Sequence, residues 1–203
     1  MQTFEEMFQR TGDFKRVNFL ARLFGLFNEQ VVANWCNCEQ AEFSNLGRPT
    51  IRVVGGTSRA ILDFLLEARH GTERGKVFVA EMKCWLAAEQ GRHLRLTSMD
   101  FVESFRNENK SFQTFLDFAK APDTFRIAVN GRVRGSSSDG AILIWSAVTP
   151  DGRTAALTHG IRRVLSVEEM LRDLNERKCE PWTKCVAAYA EWSGELFRYL
   201  AGK

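Results

Sequence analysis

Two acids and a lysine stand where an apolar segment has no ordinary use for them. Asp63 lies inside the run Ala60–Ala68 (AILDFLLEA), and Glu81 and Lys83 lie inside Val77–Leu86 (VFVAEMKCWL). Each run is apolar nearly throughout, as expected of a central strand covered on both faces. A carboxylate left unpaired there costs several kcal/mol or shifts its pKa. Strand alternation projects residues 81 and 83 from the same face, about 7 Å apart, and sends Met82 to the other. A hairpin that sets Asp63 near Glu81 brings two carboxylates and an ammonium onto one patch. Two acidic oxygens with the Met82 carbonyl suit a hard divalent cation, Mg²⁺ with Mn²⁺ as a substitute. The chemistry served is phosphodiester hydrolysis. The cation holds a phosphate oxygen and acidifies a water, while Lys83 orients or deprotonates that water or stabilises transition-state charge. The structural alternative is a buried Glu81–Lys83 or Asp63–Lys83 salt bridge.

The elements that must position this trio can be read in order. Residues 14–35 carry Val17, Leu20, Phe24, Phe27, Val31 and Trp35 at three- and four-residue steps, which predicts one amphipathic helix with Asp13 as its N-cap. Arg48-Pro49 marks a break, Thr50–Val54 reads as a strand, and Gly55–Ser58 reads as a turn. The polar link from His70 to Gly75 joins the two trio-bearing runs as antiparallel strands. Residues 99–120 are helical in period, with Thr97 or Ser98 as cap and a kink near Asn107–Lys110. Asn130-Gly131 is a hairpin signal between Phe125–Val129 and Val133. Ala141–Val148 reads as a strand, and Thr149, Pro150 and Gly160 bound the helix that follows it. Ile161–Leu165 is a further strand, and Ser166 with Glu169 makes a capping box for a helix over 167–175. Strand, helix, strand implies a parallel crossover. Pro181 opens a last helix to about Leu200. The expected fold class is α/β, a mixed sheet with helices on both faces, in one domain over residues 1–203.

On these residues the chain resembles the PD-(D/E)xK superfamily of restriction-endonuclease-like nucleases. Asp63, a gap of seventeen residues, and Glu81-Met82-Lys83 look like its motif. The order of helix, three strands, helix and strand is similar to its core. Within it, the segment AILIWSAVTPDGRTAALTHGIRRVLSVEEMLRDL resembles the end of Mrr-type restriction nucleases. The likeness covers roughly residues 14–175. Leu62 stands where the motif has proline, and Glu81 where Mrr-type enzymes commonly have glutamine. The Asn130-Gly131 hairpin looks like an insertion, and no winged-helix module is recognisable ahead of residue 14. The resemblance implies a Mg²⁺-dependent endonuclease acting on DNA, of restriction or repair type. The alternative is a non-catalytic nucleic-acid-binding or assembly module that keeps the fold.

The resemblance also directs attention to Glu29, since the superfamily often places a first-helix acid near the metal. Glu67 is a second-choice acid two pleats from Asp63, and Gln90 and His93 follow the Glu-x-Lys strand. His159 suits a helix C-terminus, where a cation complements the dipole. Arg132, Arg134, Arg162, Arg163 and Lys110 could reach backbone phosphates. For each, a solvated or structural role is the competing reading.

Composition sets the outer bounds. The chain has 203 residues, with 44% hydrophobic and 26% charged, which is globular composition and argues against disorder. Net charge is +3, from 28 basic and 25 acidic residues, which permits a polyanionic partner without requiring one. No apolar run spans a bilayer and no signal peptide is evident, so a cytoplasmic location is expected. The sixteen Phe and five Trp fall mostly on core periodicities. Five cysteines in a chain of this kind do not read as a disulfide framework. Cys36/Cys38 and Cys179/Cys185 could hold zinc or, as in some members of the superfamily, an iron–sulfur cluster, but their spacing reads as plain thiols. Cutting both strands needs two active sites, so a homodimer is a reasonable expectation; the helix at 181–200 is either its interface or packed on its own domain.

Overall fold

The structure, a computed structural model, describes residues 3–8, 14–84, 86, 94–99, 102, 109–130, 132–134 and 138–202. Three helices come first: α1 (Phe4–Phe8), α2 (Phe14–Gly25) and α3 (Asn28–Asn37). The strands β1 (Phe43–Asn45), β2 (Pro49–Val53), β3 (Arg59–Ile61), β4 (Phe64–Ala68), β5 (Val77–Lys83) and β6 (Arg95–Leu96) follow. Then come α4 (Lys110–Lys120), β7 (Phe125–Val129), β8 (Arg132–Arg134), β9 (Ala141–Trp145) and β10 (Ala147–Val148). The chain ends with α5 (Pro150–Thr158), β11 (Ile161–Ser166), α6 (Val167–Glu176) and α7 (Glu180–Leu200).

The central sheet is mixed, with five strands in the order β1-β4-β5-β9-β11. β1 with β4 and β4 with β5 run antiparallel, whereas β9 lies parallel to both β5 and β11. Because these strands are apolar on both faces, helices cover both sides. On one face Phe64, Leu66, Phe78, Ala80, Ile142 and Ile144 pack with residues of α3 and α6. On the other, Leu65, Val79 and Leu143 pack with Phe112, Phe115 and Phe118 of α4. A second, antiparallel sheet has the order β3-β2-β7-β8.

Local signals in the sequence held where backbone hydrogen bonding is local. The Thr149 and Ser166 side chains accept from Gly152 N and Glu169 N, capping α5 and α6. Asn130 takes a positive φ of 50° at the β7–β8 turn. Gly160 has φ +84°, and a Cβ there would lie 2.7 Å from the Ala119 carbonyl oxygen, so both backbone and space require glycine.

Four expected elements are divided instead. The helix expected over 14–35 breaks after Gly25, where Leu26 N and Phe27 N bond back to Leu23 O and Phe24 O and close α2 in a tight turn. α4 begins at Lys110, where Asn109 is extended and its Oδ1 accepts from Phe112 N, so the helical run is interrupted within the span Asn107–Lys110 where a kink is expected; Asp13 and residues 103–108 lie outside the described residues. The run Ala60–Ala68 is two strands in two sheets, parted at Leu62-Asp63, because Leu62 N bonds Pro49 O on β2 while Phe64 already pairs with Ala80 on β5. Ala141–Val148 parts at Ser146, which separates the partner strands of β9 and β10.

The cysteines depart from expectation. Cys38 is disulfide-bonded to Cys179 across 141 positions, tying the end of α3 to the start of α7. Cys36 is free and buried, and Cys185 is free and partly buried. Trp182 anchors the first turns of α7 in the core, while Trp192, Leu196, Phe197, Tyr199 and Leu200 are each at least half exposed. Among the described residues, no helix is long and apolar enough to cross a membrane.

Candidate active site

The register of β4 on β5 builds the site. Phe64 is the first residue of β4 and stands opposite Ala80, so β5 runs on past the end of its neighbour. Asp63 fills the gap: its Oδ2 accepts from Met82 N at 2.8 Å. In a strand the N–H and C=O of one residue leave on the same side, so the Met82 carbonyl is directed to the Asp63 edge as well. Glu81 and Lys83 project to the opposite face from Met82, which packs in the α3–α6 core.

Glu81 is 4% exposed and Asp63 is only partly buried. Lys83 Nζ donates to Glu81 Oε1 at 2.6 Å and sits 5.2 Å from the centroid of the Phe112 ring. α4 thus forms the floor beneath the ammonium. Glu81 Oε2 is buried with no hydrogen-bond partner. Burial pushes the Glu81 pKa up to about 7; the Lys83 charge opposes this, and the neighbouring Asp63 charge adds to it. Two carboxylates facing each other with one oxygen unpartnered call for a cation or a proton between them. The donor set, two carboxylates and a backbone carbonyl, is of the kind that fits a hard divalent ion. Among the described residues no third His, Cys, Asp or Glu joins the two carboxylates.

The other sequence-predicted residues fall at varied distances from the trio. Glu29 is exposed in the first turn of α3 and bonds none of the three. Its neighbour Asn28 contacts Cys84, so α3 starts at the end of β5 but on the face away from Glu81 and Lys83. Glu67 stands opposite Val77, at the far end of the β4–β5 pairing from Asp63. Gln90 and His93 lie outside the described residues. His159 caps the C-terminal end of α5, with Nδ1 2.9 Å from Ala155 O, in the ordinary helix-end role. Arg162 pairs with Glu73, and Arg163 with Glu42 and Glu73. Lys110 opens α4 and is exposed, and Arg132 and Arg134 lie on β8.

One neighbour was missed. Arg48 Nη2 lies 3.3 Å from Asp63 Oδ1 and is mostly exposed. The only sequence signal is alternation: Arg48, Thr50 and Arg52 share one face of the β2 segment. No protein-family model, curated protein or solved structure matches this chain.

Proposed function

We propose that this chain is a Mg²⁺-dependent nuclease that hydrolyses DNA phosphodiester bonds and carries the PD-(D/E)xK core. The observation that carries the reading is the unpartnered, buried Glu81 Oε2 beside Asp63, with Lys83 fixed alongside. A purely structural Glu81–Lys83 ion pair accounts for Glu81 Oε1 and leaves Oε2 buried without a partner. The antiparallel run β1-β4-β5, then α4, then β9 parallel to β5 supports the restriction-endonuclease-like topology that the motif implies.

Asp63, Glu81 and the Met82 carbonyl would hold the ion, which when bound polarises the phosphate and acidifies a water. Lys83 is held by Glu81 and the Phe112 ring, so its ammonium is placed before substrate arrives. It orients the attacking water and offsets the negative charge that grows on phosphorus-bound oxygens. Arg48, mostly exposed beside Asp63, would be placed to meet a phosphate oxygen of the substrate. Glu29 would act only through water, given its place on the far face.

Plasmid nicking with Mg²⁺ tests the reading. Wild type is expected to cut, and Lys83→Ala and Asp63→Ala to lose at least about 100-fold in rate. Equal cutting by all three proteins would sink the assignment. The competing reading, a binding module that uses the Glu81–Lys83 pair structurally, predicts DNA binding with no cutting by wild type under any divalent ion.

A further inference from the structure

The second sheet has one face in the core and one in water. On β2, β3 and β7 the inward residues are Ile51, Ala60, Phe125 and Ile127, all buried. The outward ones include Arg52, Arg59 and Arg126, all exposed. Register sets these three side by side: Arg52 pairs directly with Arg59 on β3 and with Arg126 on β7. Directly opposed residues have Cβ atoms about 5 Å apart, so the three arginine side chains leave the sheet in one row across three strands. Like charges in that position repel and destabilise a sheet. None of the three makes an ion pair with an acid among the described residues. Three exposed, adjacent arginines with no acid between them raise the local positive potential and leave the row able to accept an anion from outside.

The row is also continuous with the candidate catalytic centre. Along β2 the outward positions run Arg52, Thr50 and then Arg48, which contacts Asp63. Four residues of strand cover about 13 Å. β3 leads into Asp63 through Leu62. A polyanion lying on the row would therefore have its next segment at Arg48 and Asp63.

We propose that the outward face of β3-β2-β7 is the duplex-DNA docking surface, with Arg52, Arg59 and Arg126 gripping successive backbone phosphates and Arg48 handing the strand to the metal-binding carboxylates. The identity of the polyanion rests on the nuclease reading; the surface itself rests on the register. Arginine suits the task because its planar fork grips phosphate oxygens two at a time. Contacts to phosphates alone carry no sequence information, so this face sets position and affinity rather than specificity.

The test is fluorescence anisotropy of a labelled DNA duplex with EDTA present, titrated over a range of KCl. Wild type is compared with Arg52→Gln/Arg59→Gln/Arg126→Gln. Each phosphate contact contributes about 0.9 to the slope of log affinity against log salt, so the triple variant is expected to have a slope shallower by about 2–3. Its melting temperature should be unchanged or higher, because the repulsion has been removed. Equal slopes and affinities in the two proteins would overturn the surface. Binding of both proteins to phosphatidylserine vesicles, with no DNA binding by wild type, would overturn it too. Plasmid nicking separates this proposal from the enzymatic one. A wild type that binds with the steep slope and never cuts leaves the surface standing and removes the nuclease. A wild type that cuts while the slope is unchanged in the variant does the reverse.

Discussion

Glu81 offers the sharpest check on the site, and the perturbation is Glu81→Gln in metal-free protein. An ordinary glutamate titrates at 4.5, and burial lifts Glu81 to about 7. The folded state therefore holds this proton more tightly than the unfolded state. For an acid raised in this way, the contribution to stability is full below 4.5 and is lost as pH rises through 7. The whole shift corresponds to about 3 kcal/mol, at about 1.4 kcal/mol for each tenfold change. Between about pH 5.5 and pH 8 the wild type should lose about 2 kcal/mol from this group alone. Glutamine cannot ionise, so Glu81→Gln removes that loss while still offering Lys83 an acceptor oxygen. The assay is urea unfolding of both proteins in EDTA across that range, taking the difference at each pH so that other titrating groups cancel. The variant should gain on the wild type by about 2 kcal/mol toward the alkaline end. Adding Mg²⁺ at pH 8 should then raise the wild type's melting temperature and leave the variant's nearly unchanged, since ligand binding stabilises only a competent site. Two parallel stability curves would refute the trapped carboxylate. A Mg²⁺ response equal in both proteins would refute the metal assignment.

Two further outcomes follow from the covalent and apolar contacts of α7. Cutting Cys38–Cys179 releases a tether that closes 141 positions of the unfolded chain, so reductant should lower wild-type stability by about 2–4 kcal/mol and leave Cys38→Ser/Cys179→Ser unaffected; identical melting with and without reductant would remove the bond's role. The half-exposed Trp192, Leu196, Phe197, Tyr199 and Leu200, with Phe19 and Val186, place several large apolar side chains in water near the end of α7. We expect a dimer in sedimentation velocity that Leu196→Glu/Phe197→Glu converts to monomer, and a monomeric wild type at tens of micromolar would rule out pairing through this helix.

The sequence by itself was decisive wherever a residue's neighbours along the chain determine its conformation. Thr149 and Ser166 as caps, Gly160 as a stop and Asn130 as a hairpin turn depend on hydrogen bonds or φ values within a few positions. The trio was legible for a related reason: charges inside apolar strands are costly, and a period of two fixes which of them share a face. Tertiary structure alone decided what depends on pairing between distant segments. Residues 60–68 carry no local reason to stop at Leu62, but β2 and β5 compete for their backbone, and the change of partner creates the bend that aims Asp63 at Met82. Arg48 reaches Asp63, and Arg52 lies between Arg59 and Arg126, only because β2, β3 and β7 pair in one register. Cys38 meets Cys179 because α3 and α7 share a core. Such meetings are set by which strands and helices win each other's hydrogen bonds and apolar surface, and no spacing along the chain encodes that contest.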